Sequence, residues 1–407
     1  MKKRTRVLAL TVAAAMSASL LAGCGSSAQQ GEAAASSEAP ASTTAAADGE
    51  EDNIIRVGAV CAMTGGSAIY GEGAQNAIDM AVEEINAGDS GYKIEIVNGG
   101  KVADDAKDAK QAMNAYNKVM ADSPEAIVGS FFSSVTLPMA EQASKDGMLL
   151  LATGATNADV TLKGDTIFRN CFIDPYQGEK MANYAVEKLS AKTAAVFYQT
   201  GNDYSEGLMN AFVEKAAELG LEIVDTEAFA EGDKDFKAQM TNIAAAAPDV
   251  VFAPIYYAEA GLAITAARAA GCTSTFMGGD GFGSVKNYAS ADDLEGSVYC
   301  SGYAPGTDSV KQFEEDYKAA YNVDEIPNMF APLAYDAAML LCEGLKAAEA
   351  QGLTAGTDEY KQAVIDAIKT MDGTEGITGS YAFDEFNNPI KPVAIIELTG
   401  GNEVYQE

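Results

Sequence analysis

The sequence predicts an α/β fold with two similar lobes, each built on a parallel sheet with helices on both of its faces. Three observations predict this class. Short apolar runs alternate with segments of helical periodicity from Ile54 onward, and the same alternation starts again after Asp174. The chain also has 407 residues, which is too many for one small core.

The strands of the first lobe are predicted by apolar runs. The runs are 54–62, 92–97, 126–132, 148–152 and 166–172. Between the first two, apolar residues recur at the spacing of one helical face. They are Ala74, Ala77, Ile78, Ala81, Val82 and Ile85. A strand, a helix and a second strand in this order are typical of a parallel sheet.

The second lobe repeats this pattern. Its predicted strands are 194–198, 222–224, 249–255, 275–278 and 297–303. A helical stripe that includes Leu208 and Phe212 lies between the first two and is expected to end at Gly220, because glycine favours the left-handed conformation that follows many helices. Helices 309–321, 330–350 and 359–371 and a strand at 392–398 follow, and we expect them to complete the earlier lobes.

The N-terminus predicts export. A basic start and an apolar run at 7–21 end in Leu21-Ala22-Gly23-Cys24, so residues 1–23 are expected to be a signal peptide. The last four residues resemble the lipobox of bacterial lipoproteins, which implies acylation of Cys24 and a location on the outer face of the membrane. An ordinary secretory signal with a chance cysteine is the alternative. Residues 24–52 lack large apolar side chains and are expected to form a flexible linker.

Composition excludes several functions. The net charge of −32 disfavours binding to nucleic acid or to anionic lipid, so only a lipid anchor is expected to hold the protein at the membrane. The absence of histidine removes the commonest general base and metal ligand, and no cofactor or metal site is expected. Apart from Cys24, five cysteines remain, and we expect them to be buried free thiols.

Hydroxyl groups follow two neighbouring strands of the first lobe. Ser133 follows run 126–132, and Thr156 follows run 148–152 within the turn Gly154-Ala155-Thr156. Because strands of an open parallel sheet deliver their carboxyl-end loops to one crevice, the two hydroxyls can converge at a helix N-terminus and form an anion site. Simple capping of a helix is the alternative for Ser133.

The second lobe offers groups for a cation and an apolar pocket. Run 249–255 delivers Tyr256 and Tyr257, and run 275–278 delivers Gly279-Asp280-Gly281. Asp280 can accept an ammonium group, and the tyrosines can line a pocket. A turn aspartate and two core tyrosines are the alternative.

These segments resemble a known family. From Ile54 to the C-terminus, the chain resembles the type I periplasmic binding proteins of the leucine/isoleucine/valine-binding family. The matching segments are Val57-Gly58-Ala59-Val60, Tyr70-Gly71, Ile127-Val128-Gly129, Ser133-Ser134, Gly154-Ala155-Thr156, Tyr204-Ser205-Glu206-Gly207 and Phe276-Met277-Gly278-Gly279-Asp280-Gly281.

The resemblance implies an amino acid site between two lobes that are joined by a three-strand hinge. Ser133 and Thr156 would hold the ligand's carboxylate with help from Gly154 and Ala155, and Asp280 would meet its ammonium group. Aromatic side chains would shape the pocket. They are Tyr70, Tyr204, Tyr256 and Phe330.

The chain departs from the family at two places. Better-known members carry Glu at the position of Asp280, and smaller or thiol-bearing residues at those of Phe131 and Phe132; the disulfide often found near there is absent.

The resemblance also implies domain boundaries. Lobe 1 is expected to contain 53–173 and about 305–380, and lobe 2 to contain 174–304 and about 381–407. The hinge crossings are expected near Asp174, 302–306 and 379–383.

The implied function is that of an extracellular substrate-binding lipoprotein of an ABC importer, with the permease and ATPase complex as its partner and no enzymatic activity. The ligand is expected to be a branched-chain or other hydrophobic amino acid. The alternatives are a ligand-sensing receptor module for amides or other small zwitterions and an enzyme. For the last, no nucleophile-elbow or phosphate-loop pattern is found in the sequence.

Overall fold

The computed structural model describes residues 54–88, 92–371 and 375–406. The predicted signal peptide, Cys24 and the linker lie outside these residues. Two main sheets with helices packed around them confirm the predicted fold class.

The first sheet is parallel throughout. Its strand order is β2-β1-β4-β5-β6, and β3 pairs with the end of β1. Its strands are β1 (Ile54–Cys61), β2 (Lys93–Ile96), β3 (Ala103–Asp104), β4 (Ala126–Val128), β5 (Leu149–Ala152) and β6 (Ile167–Arg169). Nearly every side chain of β4, β5 and β6 is buried, because helices cover both faces of a parallel sheet.

The second sheet has the order β15-β14-β11-β10-β9-β7-β8. Strands β7 to β11 pair in parallel, whereas β14 and β15 form an antiparallel hairpin at the edge. A small separate pair is formed by β12 and β13. The strands are β7 (Thr193–Gln199), β8 (Glu222–Phe229), β9 (Val250–Phe252), β10 (Thr275–Gly278), β11 (Val298–Ser301), β12 (Glu375–Gly376), β13 (Gly379–Ser380), β14 (Ala394–Thr399) and β15 (Asn402–Gln406).

The helices follow the predicted pattern. They are α1 (Ala68–Ala87), α2 (Val97–Gly100, one distorted turn), α3 (Ala109–Met120), α4 (Ser133–Lys145), α5 (Asp174–Glu187), α6 (Asp203–Leu219), α7 (Lys237–Ala246), α8 (Tyr257–Ala269), α9 (Ala291–Leu294), α10 (Lys311–Tyr321), α11 (Phe330–Glu349) and α12 (Asp358–Lys369). The predicted stripe on α1 is buried except for Val82. Gly220 ends α6 with a φ of 72°, as expected.

Several predicted strands are too long. The runs 126–132 and 249–255 stop being strands at Val128 and Phe252, and the remaining apolar residues form buried loops. The apolar character of these runs therefore reflects burial and not strand pairing, because a strand in the core and a buried loop have the same apolar pattern. Conversely, β8 continues to Phe229, and the polar strand β15 was not predicted.

The chain moves between the two sheets three times. It leaves the first sheet after β6, returns after β11 to pack α11 against α1 and β4, and reaches the second sheet again at β14. The predicted lobe boundaries stay a prediction. Within the predicted second-lobe segment 381–407, Asn387 Nδ2 donates to the carbonyls of Asp165 and Ile167 beside the first sheet, both at 3.1 Å.

All five cysteines among the described residues are buried and free, which confirms the prediction of unpaired thiols. They are Cys61, Cys171, Cys272, Cys300 and Cys342.

Candidate functional site

The predicted anion site lies at the carboxyl ends of β4 and β5. Ser133 is the first residue of α4, and its Oγ accepts a hydrogen bond of 3.1 Å from the backbone N–H of Asn157, the neighbour of Thr156. Thr156 Oγ1 is buried and has no partner within hydrogen-bond geometry among the described residues. The N-terminus of a helix carries partial positive charge, so these hydroxyls and amides suit a carboxylate.

A buried arginine fixes the loop that carries Thr156. The Arg169 side chain is fully buried, and its Nη1 and Nη2 donate to the carbonyls of Ala155 and Ala158 at 2.8 and 3.1 Å. Burial lowers the pKa of this guanidinium. Sequence reasoning missed this residue, although a charged side chain at the end of an apolar strand was a visible signal.

Asp280 lies on the second-lobe side, in the turn after β10. Gln177 holds it by two hydrogen bonds: Gln177 Nε2 donates to Asp280 Oδ1 at 3.1 Å, and the N–H of Asp280 donates to Gln177 Oε1 at 2.9 Å. Burial raises the pKa of Asp280 to about 6, against the opposing effect of hydrogen bonds from Tyr204 and Gln177. A buried carboxylate of this kind suits a cationic group.

A second buried carboxylate, Asp174, lies near Thr156 and Asp280. Both of its oxygens lack a partner within hydrogen-bond geometry among the described residues, and its N–H donates to the Thr156 carbonyl at 2.9 Å. Burial raises its pKa well above the usual value, the nearby Thr156 hydroxyl lowers it, and the charge of Asp280 raises it further. The sequence interpretation placed Asp174 only at a hinge crossing.

Aromatic rings form a wall beside these charged groups. The Tyr70 ring centroid lies 4.4 Å from that of Phe330 and 5.8 Å from that of Phe132. Phe131 packs on Phe330 at 4.9 Å, and Phe132 packs on Tyr256 at 5.1 Å. We call these five residues (Tyr70, Phe131, Phe132, Tyr256 and Phe330) the aromatic wall. They come from both lobes.

Hydrogen bonds connect the two lobes across the site. Tyr70 Oη donates to the carbonyls of Gly281 and Gly283, at 3.1 and 3.2 Å. Within the second lobe, Tyr204 Oη accepts from the N–H of Gly281 at 3.0 Å, and its ring stacks on Tyr256 at 5.0 Å. The two Tyr70 hydrogen bonds join the lobes directly, so the lobes are closed against each other at this point.

Gly154 lies against the aromatic wall, which gives a testable prediction. A Cβ at this position would lie 2.6 Å from Cε1 of Phe330 and 3.1 Å from Cδ1 of Phe131. We therefore expect Gly154→Ala to displace the Phe330 ring and to lower ligand affinity roughly tenfold, since overpacking costs about 1–3 kcal/mol. Calorimetric titration of the variant measures this, and an unchanged dissociation constant would contradict it.

The predicted site residues are buried and are brought together by the fold, either directly or through neighbouring residues. They are Tyr70, Ser133, Gly154, Ala155, Thr156, Tyr204, Tyr256, Asp280 and Phe330. The sequence analysis did not include Asp174, Gln177 and Arg169, which contact these residues. It noted Phe131 and Phe132 only as departures from the family.

Within the described ranges, no helix is both long enough and apolar enough to span a membrane. The same residues contain no group of three or more His, Cys, Asp or Glu side chains that could hold a metal ion.

A family model described as periplasmic binding protein matches residues 54–402. The chain is 32% identical over 328 residues to the Leu/Ile/Val-binding protein BraC3 of Rhizobium johnstonii, which covers 79% of this chain and 84% of that protein. It is 30% identical over 342 residues to the leucine-, isoleucine-, valine-, threonine- and alanine-binding protein of Pseudomonas aeruginosa, which covers 81% of this chain and 86% of that protein.

Solved structures are similar over the same part of the chain. The branched-chain amino acid substrate-binding protein LivJ of Streptococcus pneumoniae, solved in complex with isoleucine, matches with a TM-score of 0.78 and 30% identity, covering 87% of this chain and 99% of that chain. The leucine-binding protein LivK of Thermotoga maritima matches with a TM-score of 0.78 and 28% identity, covering 87% and 98% of the two chains.

Proposed function

The chain belongs to the periplasmic binding protein family, and from this premise we propose that it captures a hydrophobic amino acid between its lobes and delivers it to an ABC importer. The family and these relatives are binding proteins rather than enzymes. One observation carries the proposal: groups that suit an anion and groups that suit a cation are buried near each other. The first are hydroxyls at a helix N-terminus, and the second are two carboxylates.

Each end of an amino acid zwitterion has a suitable partner. Ser133 and the free hydroxyl of Thr156 bind the α-carboxylate at the N-terminus of α4, while Asp280 binds the ammonium group. Asp174 supplies a second carboxylate for the ammonium group, because only the nearby Thr156 hydroxyl acts on its oxygens as a hydrogen-bond donor. Burying both charges of the ligand is favourable only when each is paired in this way.

The aromatic wall supports an apolar side chain on the ligand. The rings of Tyr70, Phe132 and Phe330 lie beside the charged groups and are almost fully buried. The relatives are named for leucine, isoleucine and valine, and the Streptococcus pneumoniae relative was solved with isoleucine. We therefore propose branched-chain or other hydrophobic amino acids as ligands.

Contacts from both lobes explain why binding favours closure. The ligand's carboxylate docks on the first lobe, and Asp280 and Tyr204 then engage the ligand from the second lobe. A ligand stabilises the closed state only through contacts that the open state lacks, and a site divided between lobes provides them.

Membership of this family indicates a periplasmic or extracellular location, and we propose that the protein is held at the membrane surface. Acylation of Cys24 would anchor the protein to the outer face of the membrane, with residues 24–52 as the tether. Such a tether raises the local concentration of the protein near the importer's permease and ATPase complex. Release of the protein from membranes by a Cys24→Ala substitution tests this proposal.

A thermal-shift screen tests the function. Purified residues 27–407 are heated with each amino acid and with small amides, because a ligand that binds the folded state raises its melting temperature by mass action. Hydrophobic amino acids are expected to raise it by several degrees at saturation. Stabilisation by amides alone would support the sensing module instead, and no stabilisation by any amino acid would contradict the proposal.

The pH dependence of binding follows from Asp280. Its pKa in the ligand-free protein is about 6, and a bound ammonium group favours the ionised form. Protonation of Asp280 is therefore expected to lower affinity by up to tenfold per pH unit below about pH 6. Calorimetric titration across this range measures the effect, and the Asp280→Asn variant should keep only the part that Asp174 contributes, since burial raises the pKa of that carboxyl group as well. A flat profile in the wild type would contradict the assignment.

A further inference from the structure

Lys107 of the first lobe reaches into the second lobe. Its Nζ lies 3.8 Å from the ring centroid of Tyr256, which follows β9, and 4.9 Å from that of Phe132. An ammonium group over an aromatic face is attracted by the ring's negative charge density, and the attraction is stronger where the ammonium is shielded from water. Lys107 is therefore in contact with two members of the aromatic wall, one from each lobe.

The loop that carries Lys107 is held in an uncommon conformation. Ala106 and Lys107 have φ angles of 49° and 56°, in the left-handed region that non-glycine residues seldom adopt. Asp104 Oδ1 accepts from the N–H groups of Met63 and Ala106, and Asp105 Oδ1 accepts from that of Lys107, each at 2.8 Å. Neighbouring carboxylates therefore impose the strained turn that directs Lys107 across the cleft.

Two glutamates of the second lobe lie near enough to act electrostatically on the Lys107 ammonium group. Burial lowers the pKa of Lys107, while the carboxylates of Glu259 and Glu231 raise it. These glutamates, Lys107 and Tyr256 line one cavity of about 230 Å³. Among the described residues, one cation of the first lobe and two acids of the second therefore line the same cavity.

We propose that Lys107 stabilises the closed arrangement of the two lobes by placing its ammonium over the Tyr256 ring, in a cavity that it shares with Glu231 and Glu259. This inference deepens the proposed function and rests on it. Lys107 is a positioning residue, because it acts through Tyr256 and not on the ligand's charged groups.

The aromatic rings connect Lys107 with the ammonium site. Tyr256 stacks on Tyr204 at 5.0 Å, and Tyr204 Oη accepts from the N–H of Gly281, next to Asp280. Opening the lobes would separate Lys107 from Tyr256 and would expose the same ring that borders the ligand. Loss of the Lys107 contact is therefore expected to speed ligand release, with little change in the rate of association.

The test compares wild type with Lys107→Met, which keeps an unbranched apolar stem and removes the charge. Small-angle X-ray scattering of the ligand-free proteins reports closure, and the variant is expected to have the larger radius of gyration. Stopped-flow measurements with L-isoleucine are expected to show dissociation roughly three- to thirty-fold faster in the variant, the range that a partly shielded cation–π contact supports. Added salt should speed release from the wild type but not from the variant.

Two further variants separate closure from a general structural effect. Lys110→Met removes an exposed charge three positions away and should behave as wild type, whereas Lys107→Arg should restore slow release because its guanidinium also packs on aromatic rings. Equal radii and equal dissociation rates for wild type and Lys107→Met would overturn the inference. If L-isoleucine does not bind the wild type, the proposed ligand class fails for that amino acid. The radii of gyration of the ligand-free proteins then decide the role of Lys107. A larger radius in Lys107→Met supports the inference, and equal radii overturn it.

Discussion

Asp280→Ala is expected to weaken binding of a hydrophobic amino acid by about 2–5 kcal/mol, which is roughly thirty-fold to several-thousand-fold in Kd. Asp280 is only 2% exposed, and Gln177 positions its carboxyl group, so a water molecule cannot take the place of the carboxylate without a change of structure. The ligand's ammonium group would then be buried beside fewer negative charges. Asp280→Asn, which preserves the shape, should show most of the same loss.

Isothermal titration calorimetry with L-isoleucine measures this effect. Asp292→Asn is a matched control, since it removes one negative charge from an exposed position of the second lobe. Melting temperatures without ligand show whether each variant is folded. Equal affinities for wild type and a folded Asp280→Ala variant would remove Asp280 from the site.

Asp174→Asn is expected to change stability and affinity in opposite directions. Burial raises the pKa of Asp174 well above its usual value, and such an acid destabilises the folded state at any pH above its unfolded pKa. The amide substitution removes this penalty and should raise the melting temperature of the ligand-free protein at neutral pH. It should also weaken ligand binding by about 1–3 kcal/mol, because one carboxylate partner of the ammonium group is lost.

The two effects of Asp174→Asn are separated by measuring the melting temperature with and without L-isoleucine. Asp159→Asn provides a control on the first lobe, at an exposed position. A variant that is less stable without ligand would show that Asp174 has a structural role instead. Unchanged affinity would show that Asp280 alone meets the ammonium group.

The predicted site residues that the fold places at neighbouring strand ends share one physical feature. Ser133, Thr156 and Asp280 each follow an apolar run that ends in a turn, and parallel strands bring such turns to one edge. Their positions therefore depend on local pattern and sheet direction, both of which are visible in the sequence. Their roles toward a ligand stay a prediction that the titrations above test.

The residues that were missed depend on tertiary contacts. Asp174 precedes Pro175 at the start of α5, a pattern that indicates only a helix N-terminus. Its unpartnered carboxyl group becomes evident only when Thr156 and Asp280 lie beside it. Lys107 likewise lies in a polar turn of the sequence, and nothing local indicates that its ammonium group reaches a ring of the other lobe.

The buried cysteines have a practical consequence. Burial raises the pKa of the Cys171 and Cys342 thiols to about 12, and those of Cys61 and Cys300 are also raised, so these sulfurs are rarely present as reactive thiolates. A protein without disulfides among these positions needs no oxidant to mature after secretion. In residues 27–407, a single cysteine introduced at the surface of each lobe should thus accept a fluorophore selectively. Lobe movement could then be followed in solution by energy transfer without removing any native thiol.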